Sequence, residues 1–548
     1  MADNSTRRWP VVGWAAAAFA ALAVMIAQIP VINAPLTSLF EAGAYYDDSF
    51  FYSVIAERVA QGGMVSLDGI HPTNGFQPLW MAILILLNLL LPSASAYGVV
   101  LWAGFVLAAA AAALFAGYLM TGAPQDTPEG PTLTSANKGV AAALGTLMFL
   151  GLSFLHAPFL ARVVNGLETT LLMTMLPLWL IAGRAALAPR AGLGASLWFT
   201  AASAALFLTR TDLFWAPMLA TGVILLRHGF GRVLIASLAL SSLMILPYLG
   251  WNTVEFGSPM PISGRVKAFY LEEFLPTSAA YWASDEWRGF PSLFQEIYGI
   301  GMVPLALILG SIVLALTARP LRIHMPRELW LLVILCIAHL TYMQLIYREL
   351  RPYTNYYFLP ELTLILLLLA HMLRSILLRI QPELASARMG ALAIIAALLV
   401  AIPILRPRPA PPPHPFWVQA VALSDDIQRV VPDQQAVGAF WPGLFAGITD
   451  HPIVPLDGII SSPDYFTDVL QQRRELAYAA DIGVEYLAVY FPPGMGDGST
   501  EMQAPDWAQL YLERMQDAKD LTFEEILRRP IGPAGESWRL LRLGRAPG

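Results

Sequence analysis

The sequence is poor in charge, in cysteine and in lysine. Charged residues make up only 13% of the 548 positions, about half the share typical of soluble proteins. A water-facing surface cannot be covered at that density, which excludes a soluble enzyme and a disordered chain. The net charge of −6 argues against a nucleic-acid partner. The single cysteine, Cys336, excludes an intramolecular disulfide. Lysine occurs only at positions 138, 267 and 519, which draws attention to Lys267.

Apolar residues are abundant instead, at 56% of the chain with a mean hydropathy of +0.57. A helix that spans a bilayer needs about 20 apolar residues. Such runs predict a polytopic α-helical membrane protein with about eleven transmembrane helices, at 10–32, 97–119, 138–157, 166–183, 193–209, 213–227, 233–250, 298–318, 329–346, 356–373 and 389–405. The run 79–92 is too short to cross and predicts a juxtamembrane or re-entrant helix. The first span follows Arg7 and Arg8 without a small-residue cleavage site, which predicts an uncleaved anchor.

The short connections between spans predict the sidedness of the chain. With the N-terminus inside, arginines in connections with few acids lie on the inner side, as the positive-inside rule expects. The larger polar mass then lies outside the membrane, in the segments 33–96, 158–166, 210–213, 251–297, 347–355 and everything after 405. We therefore expect any polar site to face the extracytoplasmic side.

Composition divides the chain into three predicted parts: a membrane domain at 1–405, a linker at 406–415 and a soluble domain at 416–548. The linker reads RPRPAPPPHP, which favours a semi-rigid polyproline II spacer. The last part alternates helix-like and strand-like patterns, at 417–431, 435–440, 452–456, 463–482 and 484–490. This alternation predicts a small extracytoplasmic α/β domain.

The first outer loop carries two adjacent carboxylates, Asp47 and Asp48, roughly a dozen residues after the anchor helix. An alternative is that they only cap the following helix, since Asp48 suits an N-cap by residue type. The loop continues with a Pro- and Gly-rich segment, 67–80, that contains His71, Asn74 and Gln77. A lone histidine in such a loop has the alternative of a simple hydrogen-bonded loop residue.

Further ionisable residues lie in the other predicted outer segments. They are Arg162 and Glu168 beside the string Asn165-Gly166-Leu167-Glu168-Thr169, Arg210 and Asp212 between two spans, Arg265 and Lys267 in the longest loop, and Arg348 and Arg351 in a string that ends with Tyr353, Tyr356 and Tyr357. Each such group costs up to about 2.5–3.5 kcal/mol to place in hydrocarbon, so it persists where it is paired or lines a wet cavity. All lie on the predicted side of Asp47, and one cavity can hold them.

This combination resembles the glycosyltransferase C superfamily, polytopic enzymes that use polyprenyl-phosphate-linked sugars. The resemblance rests on the acidic pair, on the strings 74–80 and 165–169, on Phe256-Gly257-Ser258-Pro259 and on the arginine–tyrosine string 348–357. The segment from Val437-Gly438 to Leu456-Asp457-Gly458 is similar to the small extracytoplasmic domain of bacterial members. The chain lacks the Trp-Trp-Asp-type signature of oligosaccharyltransferases, which argues against transfer of a preassembled glycan.

The resemblance implies a role for each group of residues. Asp47 is the first choice for the general base, with Asp48 orienting it or the acceptor, although the two roles can be exchanged. Arg348 and Arg351 are the candidates for the donor phosphate, with Arg265 and Lys267 as rivals. The predicted substrate-binding residues are His71, Asn74, Gln77, Glu168, Arg210, Tyr353 and Tyr357. The tyrosines have the alternative of an interfacial belt, and Glu168 and Arg210 that of a structural charge cluster.

The predicted function is inverting transfer of a sugar from a polyprenyl-phosphate donor to the hydroxyl of an extracytoplasmic glycan, lipid or protein at a bacterial plasma membrane. No cofactor is predicted, because HExxH, paired-cysteine and EF-hand strings are missing from the sequence and no metal is implied. Two alternatives remain: a lipid or glycan flippase, and a non-catalytic scaffold that binds glycans through 416–548. The sugar itself stays open among mannose, arabinofuranose, galactose and aminosugars.

Overall fold

The protein is described by a computed structural model, in which the chain divides into two compact units. The described residues are 5–41, 43–121, 135–274, 282–283, 288–317, 325–347, 355–378, 414–492, 514–515, 518–532 and 535–546. The first unit comprises Met1–Asn33, Ala103–Ile245 and Ala279–Pro409, and the second comprises Ala34–Trp102, Leu246–Ser278 and Ala410–Gly548. Each unit is therefore built from segments that are distant in sequence.

The first unit is built from helices. Two of these helices, Ala96–Thr121 and Arg232–Phe256, also include residues that belong to the second unit. The bounds of the helices in the first unit are Ser5–Ile32, Ala96–Thr121, Ser135–Leu152, Ala157–Val163, Thr169–Ala186, Leu193–Thr209, Trp215–His228, Arg232–Phe256, Gly289–Tyr298, Met302–Thr317, Arg327–Thr341 and Leu359–Leu377. Short 3₁₀ or π turns lie at Thr211–Leu213, Tyr342–Tyr347 and Asn355–Phe358. The helix Ala96–Thr121 has 26 residues, about 39 Å at 1.5 Å per residue, which exceeds the thickness of a hydrocarbon core.

Within the described residues, six helices are long and apolar enough to cross a membrane, and counting each of two bent pairs as one span gives up to eight. The bent pairs are Gly139–Leu152 with Ala157–Val163, at 74°, and Phe290–Tyr298 with Met302–Thr317, at 104°. The predicted runs 193–209 and 213–227 form helices of 17 and 14 residues, and 389–405 lies outside the described residues. The chain is thus a mostly helical protein with several apolar spans, while the number eleven stays a prediction.

The second unit combines helices of the first loop and of 246–278 with the C-terminal region. Its helices are Leu36–Glu41, Asp47–Ala60, Pro78–Leu90, Ile262–Phe274, Pro415–Val430, Pro442–Ile448, Pro463–Tyr465 and Glu475–Asp481, with a π turn at Phe466–Leu470. The helix Pro78–Leu90 has 13 residues and corresponds to the short run predicted at 79–92. The predicted domain boundaries at 405 and 416 stay a prediction.

A five-stranded sheet forms the core of the C-terminal region. Its strands are β1 (Val437–Ala439), β2 (Ile453–Pro455), β3 (Tyr486–Phe491), β4 (Leu521–Pro530) and β5 (Ser537–Arg545), in the order β2-β1-β3-β5-β4. β1 is parallel to both β2 and β3, whereas β5 is antiparallel to β3 and β4. The strands β1, β2 and β3 correspond to the strand-like patterns at 435–440, 452–456 and 484–490, whereas the hairpin β4–β5 was not expected from the sequence.

Helix Pro415–Val430 packs its apolar face on the sheet and begins close to the predicted start. Ala420, Leu423 and Ile427 are fully buried at helical spacing on that face. Arg529 on β4 donates two hydrogen bonds to the carboxylate of Asp426, at 2.5 and 2.7 Å. The predicted continuous helix 463–482 is instead broken, because Arg473 adopts φ 53°, a left-handed conformation that ends a helix.

Candidate active site

The acidic pair opens a helix of the second unit. Helix Asp47–Ala60 has Tyr46 as its N-cap residue, and Asp47 and Asp48 are the first two residues of its first turn. The alternative in which Asp48 is the N-cap is therefore wrong, since the N-cap position lies two residues earlier, at Tyr46. Both aspartates are partly exposed to solvent. Their carboxyl groups are thus available for contacts outside their own helix.

Asp47 is held by the C-terminal region. Its Oδ1 accepts a hydrogen bond from the backbone N–H of Leu444 at 2.7 Å, and its Oδ2 accepts one from the N–H of Gly443 at 3.2 Å. These residues lie in the first turn of helix Pro442–Ile448 and are separated from Asp47 by 396 and 397 residues. Both carboxylate oxygens of Asp47 are therefore fixed in direction, and each keeps a lone pair for another partner.

The surroundings make Asp47 a weaker acid than usual. Burial among protein atoms and the adjacent charge of Asp48 raise the pKa of Asp47 to about 7, against the opposing effect of the Leu444 and Gly443 amides. Burial also raises the pKa of Asp48, while the ammonium group of Lys267 lowers it. A carboxyl group with a pKa near 7 can both take up and release a proton at neutral pH, as a general base must.

Asp457 is a third carboxyl group at this site, and it was not among the residues predicted from the sequence. It is 2% exposed, and burial together with the charges of Asp47 and Asp48 raises its pKa well above the usual value, against the effect of Lys267. Its Oδ1 accepts the N–H of Ile459 at 3.1 Å. The hydroxyl of Tyr270 donates to its backbone oxygen at 3.0 Å. Tyr270 and Lys267 lie one turn apart on helix Ile262–Phe274, which explains how Lys267 reaches this group.

The sheet accounts for the positions of the two C-terminal contributions. Helix Pro442–Ile448 follows β1 and Asp457 follows the adjacent parallel strand β2. In parallel sheets the carboxyl ends of neighbouring strands form one edge, which is where α/β proteins commonly place functional groups. The string Leu456-Asp457-Gly458 after a buried strand was the signal in the sequence that indicated this position.

Asn74 positions the segment that carries the basic residues. Its Nδ2 donates to Oδ1 of Asn252 at 3.3 Å, and its Oδ1 accepts the backbone N–H of Ile262 at 3.1 Å. Asn252 in turn donates to the carbonyl oxygen of Pro259 at 3.0 Å. Asn74 is fully buried, so these bonds fix the start of helix Ile262–Phe274. The backbone N–H of Gln77 donates to the hydroxyl of Tyr52 at 3.0 Å, which orders the same loop.

The two predicted basic residues on this helix have different neighbours. The guanidinium carbon of Arg265 lies 4.9 Å from the centre of the Phe466 ring, a cation–π distance. Lys267 is close enough to Asp48 and Asp457 for its charge to lower the pKa of both carboxyl groups. The structure therefore brings Lys267 to the acidic residues and packs Arg265 on an aromatic side chain.

His71 is held between two partners. Its Nδ1 is 2.6 Å from Oδ2 of Asp68, and its Nε2 is 2.7 Å from the hydroxyl of Tyr478. The loop is ordered by Asp68, whose Oδ1 accepts the N–H groups of Ile70 and His71, and by Gly69 at φ 79°. Although burial opposes it, the hydrogen bonds from His71 lower the pKa of Asp68. Both ring nitrogens of His71 are therefore engaged within the protein.

A second set of predicted residues lies in the first unit. Nη1 of Arg210 is 3.1 Å from Glu168, and its Nη2 is 2.6 Å from Asp212. The ring of Tyr357 lies 4.1 Å from the guanidinium carbon. Arg210 and Glu168 are 1% and 4% exposed, so this is a buried ion-pair network. His339, which sequence reasoning missed, extends it with contacts of 3.4 Å to Asp212 and 2.7 Å to Glu361.

The turn that places Glu168 follows from its local sequence. Gly166 adopts φ 82°, and Oδ1 of Asn165 accepts the N–H of Leu167 and the hydroxyl of Thr169. Arg348, Arg351 and Tyr353, predicted for donor binding, lie outside the described residues. Among the described side chains, no group of three or more His, Cys, Asp or Glu residues has a geometry suited to a metal ion.

Solved structures of three proteins match this chain. ArnT from Cupriavidus metallidurans, bound to undecaprenyl phosphate, matches with a TM-score of 0.52 and 12% identity over 97% of this chain and 98% of that chain. The archaeal oligosaccharyltransferase AglB from Archaeoglobus fulgidus, in complex with an inhibitory peptide and a dolichol-phosphate, matches with a TM-score of 0.44 and 13% identity over 81% and 65%. The arabinofuranosyltransferase AftD from Mycobacteria matches with a TM-score of 0.40 and 15% identity over 98% and 41%.

The chain therefore spans 65% of the archaeal protein and 41% of the mycobacterial one. In sequence, no family model and no curated protein matches it. The similarity to ArnT covers nearly all of both chains and shows a shared fold. The resemblance to the glycosyltransferase C superfamily, inferred from the sequence, is confirmed at the level of the fold.

Proposed function

We propose that the chain is a membrane glycosyltransferase that moves a sugar from a polyprenyl-phosphate donor to an acceptor hydroxyl with inversion. The carrying observation is the group formed by Asp47, Asp48 and Lys267 in the second unit, with Asp47 fixed at both oxygens and its pKa raised to about 7. The fold shared with ArnT, whose solved structure contains undecaprenyl phosphate, supports a lipid-phosphate donor.

The chemistry follows from these groups. The acceptor oxygen attacks the anomeric carbon of the donor sugar, and Asp47 takes the proton from that oxygen. The bond between the anomeric carbon and the phosphate oxygen breaks, and the electron pair leaves with the lipid phosphate. Single displacement inverts the anomeric configuration. Asp48 orients the acceptor or the base, and a general base of this kind contributes about 10²–10⁴-fold to the rate.

Negative charge grows on the phosphate as the bond breaks, so a cation aimed at it stabilises the transition state. Lys267 is the candidate in the second unit, since its charge already acts on the acidic residues. Arg265 lies two residues before it, and Arg348 and Arg351 stay proposed candidates for the donor phosphate. His71, Asn74, Gln77 and Tyr353 stay proposed substrate-binding residues.

Glu168, Arg210 and Tyr357 are also proposed to contribute to substrate binding. Arg210 is already paired with two carboxylates. These contacts support an indirect contribution to substrate binding, in which the residues maintain the local structure. The buried network fixes the ends of the helices that carry it, and Tyr357 is held against the guanidinium group. We propose that this ion-pair network shapes the first unit for substrate binding without contacting the reacting atoms.

The proposed setting is a bacterial plasma membrane, with the site and the C-terminal region on the extracytoplasmic side. The apolar helices and the positive-inside pattern support this orientation. The acceptor is a glycan, a lipid or a protein that carries a hydroxyl group.

The test is incubation of the purified full-length protein with a panel of polyprenyl-phosphate sugars and candidate acceptors, followed by mass spectrometry of the released lipid phosphate. The expected result is release with one donor class, lost in Asp47→Asn and retained in Asp464→Asn, which changes an exposed carboxylate. Donor movement across sealed vesicles without bond cleavage indicates a flippase instead. Glycan binding without turnover of any donor indicates a scaffold.

A further inference from the structure

Two glycines bring the C-terminal region into direct contact with the helix that carries the acidic pair. Gly443 and Gly447 lie four residues apart on helix Pro442–Ile448, so they share one face. A Cβ atom on Gly443 would collide with the carbonyl oxygen of Asp47, and one on Gly447 would collide with the ring of Phe50. The two helices approach so closely that neither position has space for a methyl group.

The close approach serves the two hydrogen bonds to Asp47. The first N–H groups of a helix have no acceptor within that helix. Here the N–H groups of Gly443 and Leu444 donate to the two carboxylate oxygens of Asp47, at 3.2 and 2.7 Å. A two-point contact of this kind sets the plane of the carboxylate as well as its position. Nothing in the Asp47 side chain's own helix provides such an orientation.

Other contacts fasten the same parts of the second unit to each other. The hydroxyl of Thr73 donates to the carbonyl oxygen of Ser461 at 3.1 Å. A Cβ on Gly75 would lie 2.5 Å from the carbonyl oxygen of Ile459. The rings of Phe40 and Trp417 are stacked, with centroids 4.5 Å apart and planes inclined by 14°. These contacts lie on two segments of the first loop, at Phe40 and at 73–75, so the loop is held at several points besides the carboxylate.

We propose that helix Pro442–Ile448 is part of the catalytic site, and that Gly443 and Leu444 are positioning residues which hold the carboxylate of Asp47 through their backbone N–H groups. The inference rests on the proposed role of Asp47 as the general base. It assigns to the C-terminal region a direct part in the reaction, beyond covering a cavity or presenting an acceptor.

The charged groups around Asp47 set the direction of the expected effect. Asp48 lies on the same helix, Lys267 on helix Ile262–Phe274, and Asp457 follows β2. The N–H groups of Gly443 and Leu444 favour the ionised form of Asp47, and they lower its pKa against burial and Asp48. Removing one of these donors therefore raises the pKa of Asp47 and leaves less of the base ionised at neutral pH.

The sharpest variant replaces the Leu444 amide by an ester, by nonsense suppression with the α-hydroxy acid of leucine. This change deletes the N–H donor and leaves every side chain in place. Gly443→Ala is the companion variant, and Gly532→Ala is the matched control, since its added methyl meets only the Glu536 carboxylate at 3.5 Å. The pH profiles of kcat and kcat/KM for sugar transfer are measured on the full-length protein.

We expect the acidic limb of the ester variant to move up by about one pH unit. With a starting pKa of about 7, that shift lowers the rate at pH 7 about fivefold and restores it near pH 9. The KM for the donor is expected to stay unchanged, since both N–H groups already donate to the carboxylate of Asp47. A lower rate with an unmoved pH profile, or a profile identical to the parent protein, overturns the proposal.

A second readout does not require activity. Melting temperatures are measured from pH 4.5 to 9 for four proteins: the parent protein, the ester variant, Asp47→Asn, and Asp47→Asn combined with the ester. The ester is expected to extend the pH-dependent loss of stability to higher pH in the Asp47 protein and to leave the Asp47→Asn protein without that extension. An equal effect in both backgrounds overturns the positioning role, even where the protein transfers no sugar. Absence of transfer with the expected melting pattern refutes the proposed reaction alone.

Discussion

Replacing the proposed base is expected to stabilise the protein while it abolishes transfer. The pKa of Asp47 rises from 3.8, its ordinary value, to about 7 in the folded protein. A carboxyl group with a raised pKa in the folded state resists ionisation there, whereas the unfolded chain ionises it freely. Folding stability therefore falls as pH rises from about 4 to about 7, and it stays lower above that range. Asp47→Asn removes this penalty.

The magnitude follows from the two pKa values. The interval from 3.8 to about 7 corresponds to about 4 kcal/mol at 1.36 kcal/mol per unit. That figure is an upper bound, because Asp47 is partly exposed and solvent screens its charge. Asparagine also keeps only one acceptor oxygen for the two amides. We therefore expect Asp47→Asn to be more stable than the parent protein at pH 8 by about 2 kcal/mol.

The assay is thermal unfolding of the detergent-purified protein, followed by tryptophan fluorescence between pH 4.5 and 8.5. The melting temperature of Asp47→Asn is expected to exceed that of the parent protein by a margin that widens with pH and levels off above pH 7. Asp48 and Asp457 have raised pKa values as well, so some pH dependence persists in the variant. Asp464→Asn controls for loss of one surface charge. A variant that is equally or less stable at pH 8, or a margin that does not change with pH, refutes the reasoning.

Three other changes test the packing of each unit. Arg210→Met leaves the buried carboxylate of Glu168 and the partly buried one of Asp212 without their cation and is expected to destabilise the protein by about 3–5 kcal/mol, whereas Arg190→Met at an exposed position leaves the melting temperature unchanged. Gly75→Ala, whose Cβ would lie 2.5 Å from a carbonyl oxygen, is expected to lower the melting temperature, and Gly117→Ala, with no atom within 4 Å, is not. Tyr478→Phe removes the hydroxyl that contacts His71 and is expected to cost about 1 kcal/mol, measured by the same thermal assay.

Helices formed by long apolar runs were predictable from the sequence, because the thickness of the hydrocarbon core sets the length that a membrane-spanning helix needs. The run 97–119 became helix Ala96–Thr121, and the short run 79–92 became Pro78–Leu90. Length alone separates these two cases, since only the first covers a hydrocarbon core. The strand β3 was also expected, because its residues Tyr486–Phe491 form a continuous apolar segment, of which the first four residues are buried.

The hairpin β4–β5 was missed for a local reason. Strand pattern recognition depends on strict alternation of apolar and polar residues. β4 carries a register shift between Glu525 and Leu527, and such a bulge moves every later side chain to the opposite face. The segment LTFEEILRRP therefore shows no continuous alternation, although each half pairs regularly with β5.

The residues of the candidate site also differ in how well the sequence predicts them. Asp47 and Asp48 stand out because two adjacent carboxylates near apolar spans are costly unless they are used. Asp457 was named in the sequence only as part of the string Leu456-Asp457-Gly458, and its place beside the acidic pair follows from packing that joins it to helices of the first loop and of 262–274. Gly443 and Leu444 contribute backbone N–H groups. Because every residue except proline has such a group, the sequence does not indicate that these two residues belong to the site. Only the structure shows that Gly443 has no space for a side chain, because a Cβ atom there would collide with the carbonyl oxygen of Asp47.

The same geometry bears on what the C-terminal region does. A domain that merely covered a cavity would contact its neighbours through side chains, which tolerate an added methyl by small rearrangements. At Gly443 and Gly447 the atoms that an added methyl would meet include the backbone oxygen of Asp47 and the ring of Phe50. Backbone atoms cannot rotate away as a flexible side chain does. The contact therefore constrains the position of the carboxylate itself, and a change in this helix is expected to alter the chemistry of Asp47 before it alters the binding of a donor.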